Sequence, residues 1–155
     1  MPGLTHVFLD CAAAAFSDLL PAGHPLPNAD HVARRTLESM GTDGVELTVA
    51  EHGAKLVGYV GFGWSRDPDA LPGIAEVWSM FVHPSAWRGG VGSRLMENAM
   101  DGLRAAGHGE VTLWSFLANE RANAFYESCG MTRDGARRRE AVWADVDQVR
   151  YRRSL

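Results

Sequence analysis

Residues 82–96, VHPSAWRGGVGSRLM, close a hydrophobic run with a proline, crowd Gly89, Gly90 and Gly92 into four positions, and continue as an amphipathic segment. A strand, a glycine turn and a helix start in that order bring unpaired backbone N–H groups and the positive end of a helix dipole, about half a charge, to one point. Such a point suits an anion, because glycine lets a phosphate approach amides that a Cβ would hold away. The same residues would also make a tight strand-to-helix turn with no ligand, and glycine spacing alone does not separate the two. No Lys-Ser or Lys-Thr follows Gly92, which excludes a Walker loop, and GGVG lacks the spacing of the dinucleotide fingerprint. Around Ser65, GWSRD carries Asp67 where a nucleophile elbow needs its second glycine.

Other reactive side chains give less. The six histidines show neither His-x-His nor Glu-x-x-His spacing, so the sequence predicts no metal site. Cys11 and Cys129 are too few and too far apart for a disulfide framework or a zinc ribbon, and read as small hydrophobes in a reduced cytoplasm. A net charge of −4 argues against nucleic acid. The one basic run, Arg137 to Arg139 with Arg150, Arg152 and Arg153, reads as the solvated faces of two late strands, since Val149 and Tyr151 alternate with it. The N-terminus lacks the basic start of a signal peptide, and no apolar stretch reaches the roughly 18 residues of a membrane span.

The elements that must hold the turn follow from periodicity. One domain over residues 1–155 is expected. Leu4, Phe8, Ala12, Phe16 and Leu19 predict a first helix, and Asn28 or Asp30 caps a second that Gly41 stops. VELTVA and KLVGYVGFGW form a hairpin, in which Gly58, Gly61 and Gly63 weaken the strand or admit another backbone. IAEVWSMFV is apolar on both faces, a central strand leading into the glycine turn. Val91, Leu95, Ala99, Leu103 and Ala106 predict the helix after it. EVTLWSFLAN is the next strand, a helix opened by Asn119 and stopped by Gly130 follows, and residues 137–155 supply a closing strand pair.

With these residues in place the chain resembles the GNAT superfamily of acetyl-coenzyme A dependent N-acetyltransferases. That family's core pattern is a Gln or Arg, two variable residues, Gly, a variable residue, then Gly or Ala; Gly90, Val91 and Gly92 fill its end. A second signature, Asn opening a short helix with Phe-Tyr-Glu and ending at Gly-Phe, is matched by Asn119, Phe125-Tyr126-Glu127 and Gly130-Met131. Trp87 stands where the family has its Gln or Arg, and Met131 where it has Phe. The resemblance implies an α/β (α+β) GNAT fold, with a central, mixed, mostly antiparallel sheet and helices on both faces. It also leaves no room for the family's first strand before the first helix, so that strand is expected to be missing, with a homodimer as one way to cover the exposed edge.

What the resemblance implies for the site is specific. Arg88, Gly89, Gly90, Val91, Gly92 and Ser93 would hold the pyrophosphate of acetyl-coenzyme A, the backbone of Phe81 and Val82 its pantetheine, and Asn119 would cap its helix or bond the pantetheine. Tyr126 would protonate the departing thiolate; otherwise it packs with Phe125 and Cys129. Glu76, read on one face with Ile74, Trp78, Met80 and Val82, would be the base for the amine, directly or through water; otherwise it is a structural carboxylate bonded to neighbouring backbone. Phe16, His24, Trp64, Trp114 and Trp143 are candidates for the acceptor pocket, each equally explained by core packing. The expected activity is direct transfer of acetyl to a primary amine, on a small molecule or a peptide, in a ternary complex. The competing expectation is a coenzyme A binding sensor or partner module without turnover.

Overall fold

The computed structural model describes residues 2–26, 28, 34 and 37–155. A first helix, α1 (Pro2–Phe16), is followed by β1 (Val45–His52), β2 (Lys55–Trp64), β3 (Ile74–Val82), α2 (Val91–Ala105), β4 (Glu110–Phe116), α3 (Glu120–Ser128), β5 (Thr132–Arg138) and β6 (Gln148–Ser154). The predicted second helix lies largely outside the described residues; Leu37–Ser39, at its end, is helical. The six strands form one sheet in the order β1-β2-β3-β4-β6-β5, antiparallel except for β3 beside β4. Among the described residues α1 precedes any strand, and β1 is the sheet's outer strand on that side.

The sheet is covered on both faces because its strands carry two apolar sets. Leu95, Met96, Ala99, Met100 and Leu103 form the buried stripe of α2 and pack on Val60, Phe62, Ala75, Val77, Leu113 and Tyr151. On the other face Val7, Phe8, Cys11, Ala12 and Phe16 of α1 meet Tyr59, Phe81 and Phe116. The strand-admitting role of glycine holds at Gly63, where a Cβ would stand 2.6 Å from the carbonyl oxygen of Gly44.

Two irregularities in β3 shape everything downstream. Ser79 pairs with Gly61 but Val77 pairs with Phe62, so Trp78 is an extra residue, a bulge. A one-residue bulge exchanges the faces of a strand. Before it Ala75 and Val77 point at α2; after it Met80 and Val82 do, while Phe81 turns to α1. Glu76 therefore lies on the face opposite Met80 and Val82, which corrects the single face predicted from alternation. The second irregularity is that β3 and β4 pair only over Ile74–Glu76 and Glu110–Thr112, beyond which they splay apart.

The late strands also differ from expectation. The closing pair begins at Thr132, earlier than predicted, because residues 132–135 are polar and largely exposed on an edge strand and carry no alternation to read. Arg150 is no solvated side chain: it is buried and held by Asp67, Asp69 and Asp134 at 2.7–3.1 Å. Those ion pairs fasten the loop after β2 to the sheet.

Candidate active site

The splay between β3 and β4 opens a continuous cleft of about 1680 Å³, which runs from the glycine turn to the aromatic wall under residues 138–143. At the turn, Arg88 has φ 59° and Gly90 φ 79°. The left-handed region costs a side chain roughly 1–2 kcal/mol, so Arg88 is strained here while Gly90 is not. A Cβ on Gly90 would meet nothing within 4 Å, meaning that it would project into open space at the helix start. Gly90 gives α2 no side-chain cap, and the first intrahelical bond runs from Arg94 N–H to Gly90 C=O at 3.1 Å. The N–H groups of Val91, Gly92 and Ser93 are thus left for a ligand or solvent. α3 differs: Asn119 caps it by accepting from the Ala122 N–H at 3.3 Å.

Trp87 has a definite job. Its indole N–H donates to Val82 C=O at 2.7 Å, and the guanidinium of Arg121, from the first turn of α3, lies 4.0 Å above its ring. Arg88 and Arg121 both line the cleft, and neither has a carboxylate partner among the described residues. The His83 N–H bonded to Val57 C=O at 2.8 Å fixes the alternation of the β2–β3 ladder, so Phe81 turns its backbone to Tyr59. The backbone groups that face the opening are those of Met80 and Val82. Phe81 contributes a ring packed edge-on against Phe8 and Phe16 instead, and the Val82 carbonyl already accepts from Trp87 and from the Cys11 thiol.

Across the opening, the Tyr126 hydroxyl has no hydrogen-bond partner among the described residues, and its ring lines the cleft between Phe125 and Tyr151. Burial, with the potential charges of Cys129 and Tyr151 adding to it, pushes the phenol up to about 12, so it stays a proton donor. Asn123 is buried on the same helix; its amide donates to Phe116 and Leu117 C=O at 3.2 and 3.0 Å, leaving its Oδ1 unpartnered. A buried acceptor without a donor marks a place for water or a ligand N–H.

Glu76 is 2% exposed, and Arg66 holds it three times: backbone N–H and Nε–H donate to Oε2 at 2.8 and 3.2 Å, and Nη2 to Oε1 at 2.5 Å. A carboxylate offers about four lone pairs, so one on Oε1 is left over. The guanidinium of Arg66 lies 4.5 Å from the Trp78 ring, and Trp78 donates its indole N–H to Trp64 C=O at 2.9 Å. Arg138 stacks at 4.4 Å on Trp114, whose N–H reaches Asp67 at 2.8 Å. Phe16, Phe116 and Trp143 close this end edge to face. Of the predicted acceptor residues, Phe16, Trp64, Trp114 and Trp143 line the cleft; His24 bonds Val142 C=O instead.

Residues 13–131 match the acetyltransferase (GNAT) family, well over half of the chain. The chain belongs to the GNAT acetyltransferase family. Among curated GNAT relatives, a mycothiol acetyltransferase of Beutenbergia cavernae is 41% identical over 69 residues, covering 44% of this chain and 23% of that protein. The "Probable N-acetyltransferase" of Mycobacterium tuberculosis is 29% identical over 113 residues, 72% of this chain and 59% of that protein. The chain spans less than two thirds of either relative. Solved GNAT structures share the fold: PaiA N-acetyltransferase of Thermoplasma acidophilum, in complex with coenzyme A, superposes with TM-score 0.76 at 12% identity over 99% of this chain and 92% of its own. Ribosomal-protein-alanine N-acetyltransferase of Brucella melitensis does so with TM-score 0.76 at 21% identity over 99% and 93%.

The cleft of this GNAT chain is thus lined by Val82, Arg88, Gly90, Gly92, Ser93, Asn119 and Tyr126, whereas Gly89, Val91 and Glu76 do not line it, Glu76 being buried beneath Arg66. Sequence reading missed Arg66, Arg121 and Asn123. Asn123 follows Asn119 by four positions on the inner face of α3, a spacing that could have singled it out. Arg66 and Arg121 carry no comparable signal, since only the fold sets each beside its tryptophan. A further group, His6, Asp10 and His83, converges at α1, and of its members only His6 and Asp10 are near in sequence.

Proposed function

We propose that the protein transfers an acetyl group from acetyl-coenzyme A to a primary amine by direct attack, with both substrates bound at once. One observation carries this reading: uncapped helix N–H groups at one end of the β3–β4 opening and the unpartnered Tyr126 hydroxyl along it suit a pyrophosphate and a thioester at the same time. The chain fits coenzyme A in particular places. Val91, Gly92 and Ser93 N–H would meet the pyrophosphate, with Arg121 over Trp87 supplying a cation beside the position where the family has its Gln or Arg. Met80 N–H and C=O and Val82 N–H would bond the pantetheine as an added strand, and Asn123 Oδ1 is an acceptor for an N–H nearby. Acetyl-coenzyme A brings an activated acyl group whose sulfur can leave as a thiolate.

The amine nitrogen forms a bond to the acetyl carbon as the carbon–sulfur bond breaks. Tyr126 gives its proton to the leaving sulfur and regains one from solvent. The amine's proton passes through a water to the remaining lone pair of Glu76 Oε1, since Arg66 occupies the other positions. A cysteine route is disfavoured: burial pushes the Cys11 thiol up to about 12 and raises Cys129 too, so both remain thiols. The acceptor is a small-molecule or peptide amine that fits an aromatic-walled cleft.

The three bonds from Arg66 to Glu76 favour one second reading, a module that binds coenzyme A without turnover. Calorimetry with acetyl-coenzyme A, followed by thiol release across a panel of amines, separates the two. Amine-dependent release establishes the transferase; binding with no release for any amine establishes the module; no binding sinks both.

A further inference from the structure

We infer that His6, Asp10 and His83 form a binding site for a zinc-class divalent cation that ties the start of α1 to the corner where β3 enters the glycine turn. His6 and Asp10 stand one helical turn apart on α1, and His83 directly follows the last residue of β3. The Asp10 Oδ2 lies 3.3 Å from His6 Nε2 and 2.7 Å from His83 Nε2, and one ligand atom from each residue falls within 4.8 Å of the others. The two imidazoles stack at 5.6 Å with 26° between their planes, so both can present Nε2 to the same carboxylate oxygen.

The chemistry selects the ion. Two imidazoles and one carboxylate suit Zn²⁺, Co²⁺ or Ni²⁺, whereas Mg²⁺ and Ca²⁺ take oxygen. Bonds of about 2.0–2.1 Å in a tetrahedron place neighbouring ligand atoms about 3.3 Å apart. The His6–Asp10 separation already has that value, and Asp10 to His83 need only open by about 0.6 Å when the ion replaces their hydrogen bond. His83 is oriented from behind by Ser85: its Nδ1 accepts the Ser85 N–H at 3.1 Å and lies 2.7 Å from Ser85 Oγ. On ion binding the ring proton moves to Nδ1, which gives up the Ser85 N–H bond and donates to Ser85 Oγ instead, the outer hydrogen bond common to metal-bound histidines. His6 is exposed and Asp10 partly so, which leaves an entry path and room for water as a fourth ligand. The site does not touch the acyl-transfer groups and does not depend on the transferase reading.

The test uses the untagged full chain, titrated with Zn²⁺ by calorimetry and with Co²⁺ by visible absorption, with Mg²⁺ as control. The expected result is one ion per chain with micromolar affinity, no Mg²⁺ binding, and a melting temperature that rises with Zn²⁺. His6→Gln, at an exposed position, and Asp10→Asn, which keeps an oxygen to accept from His83, should each weaken binding by at least about tenfold while melting as the wild type does without metal. No stoichiometric Zn²⁺ binding, or binding of equal strength in the wild type and both variants, overturns the site.

Discussion

The two ends of the cleft satisfy their polar groups in opposite ways. At the glycine turn, helix N–H groups are uncapped, Arg88 is strained, and Arg88 and Arg121 lack carboxylates among the described residues. At the aromatic end every cation is matched: Arg66 with Glu76, Arg138 with Glu140, and Arg150 with its aspartates. An end built to receive charge keeps unmet groups, and an end built to shape a pocket closes its own. The contrast teaches that, on the proposed function, charge recognition would fall to the backbone-rich end, while choice of acceptor would rest on shape and on which of the closed pairs a substrate displaces.

The sharpest way to break the comparison is Gly90→Asp, which puts a carboxylate where the phosphate would lie and strains a residue at φ 79°. Calorimetry should show loss of detectable acetyl-coenzyme A binding with the fold intact by circular dichroism. Tyr126→Phe should lower kcat by about 10²–10⁴-fold, with acetyl-coenzyme A affinity nearly unchanged. Retained turnover would remove Tyr126 from the chemistry. On the closed side, Arg150→Leu leaves the buried Asp67 carboxylate without its cation, and denaturant melts should register a loss of about 3 kcal/mol. A smaller change sharpens the open side: Arg121→Ala should raise KM for acetyl-coenzyme A about two- to fivefold, as for an exposed ion contact, and leave acetyl-pantetheine unaffected. The smallest effect is a flat one. Tyr126 titrates near 12 instead of 10, so kcat should show no alkaline limb from this hydroxyl below about pH 10. Between these two values the unfolded chain loses its proton first, so this group makes stability fall with rising pH there.

Sequence carried the cleft's open end further than its closed end, for a physical reason. Gly89 to Gly92, Asn119 and Tyr126 act through backbone conformation, helix capping and helical phase, which are local and leave a periodic trace. Arg66 on Glu76 and Arg150 on three aspartates depend on segments brought together by the sheet, and a charged residue looks the same in sequence whether it ends up solvated or buried. Alternation failed at Trp78 because a bulge needs no special residue type. The His6, Asp10 and His83 group shows the same limit: only its first pair is local, and the third member is 73 residues from Asp10.

The bulge at Trp78 also divides β3 into two halves of opposite phase. Residues 74–77 send Ala75 and Val77 to α2 and Glu76 to the other face, residues 79–82 send Met80 and Val82 to α2 and Phe81 to α1, and the single unpaired residue between them lets each half keep its own phase. Without that extra residue the second half would turn over, taking Met80 and Val82 off the α2 core and Phe81 away from α1.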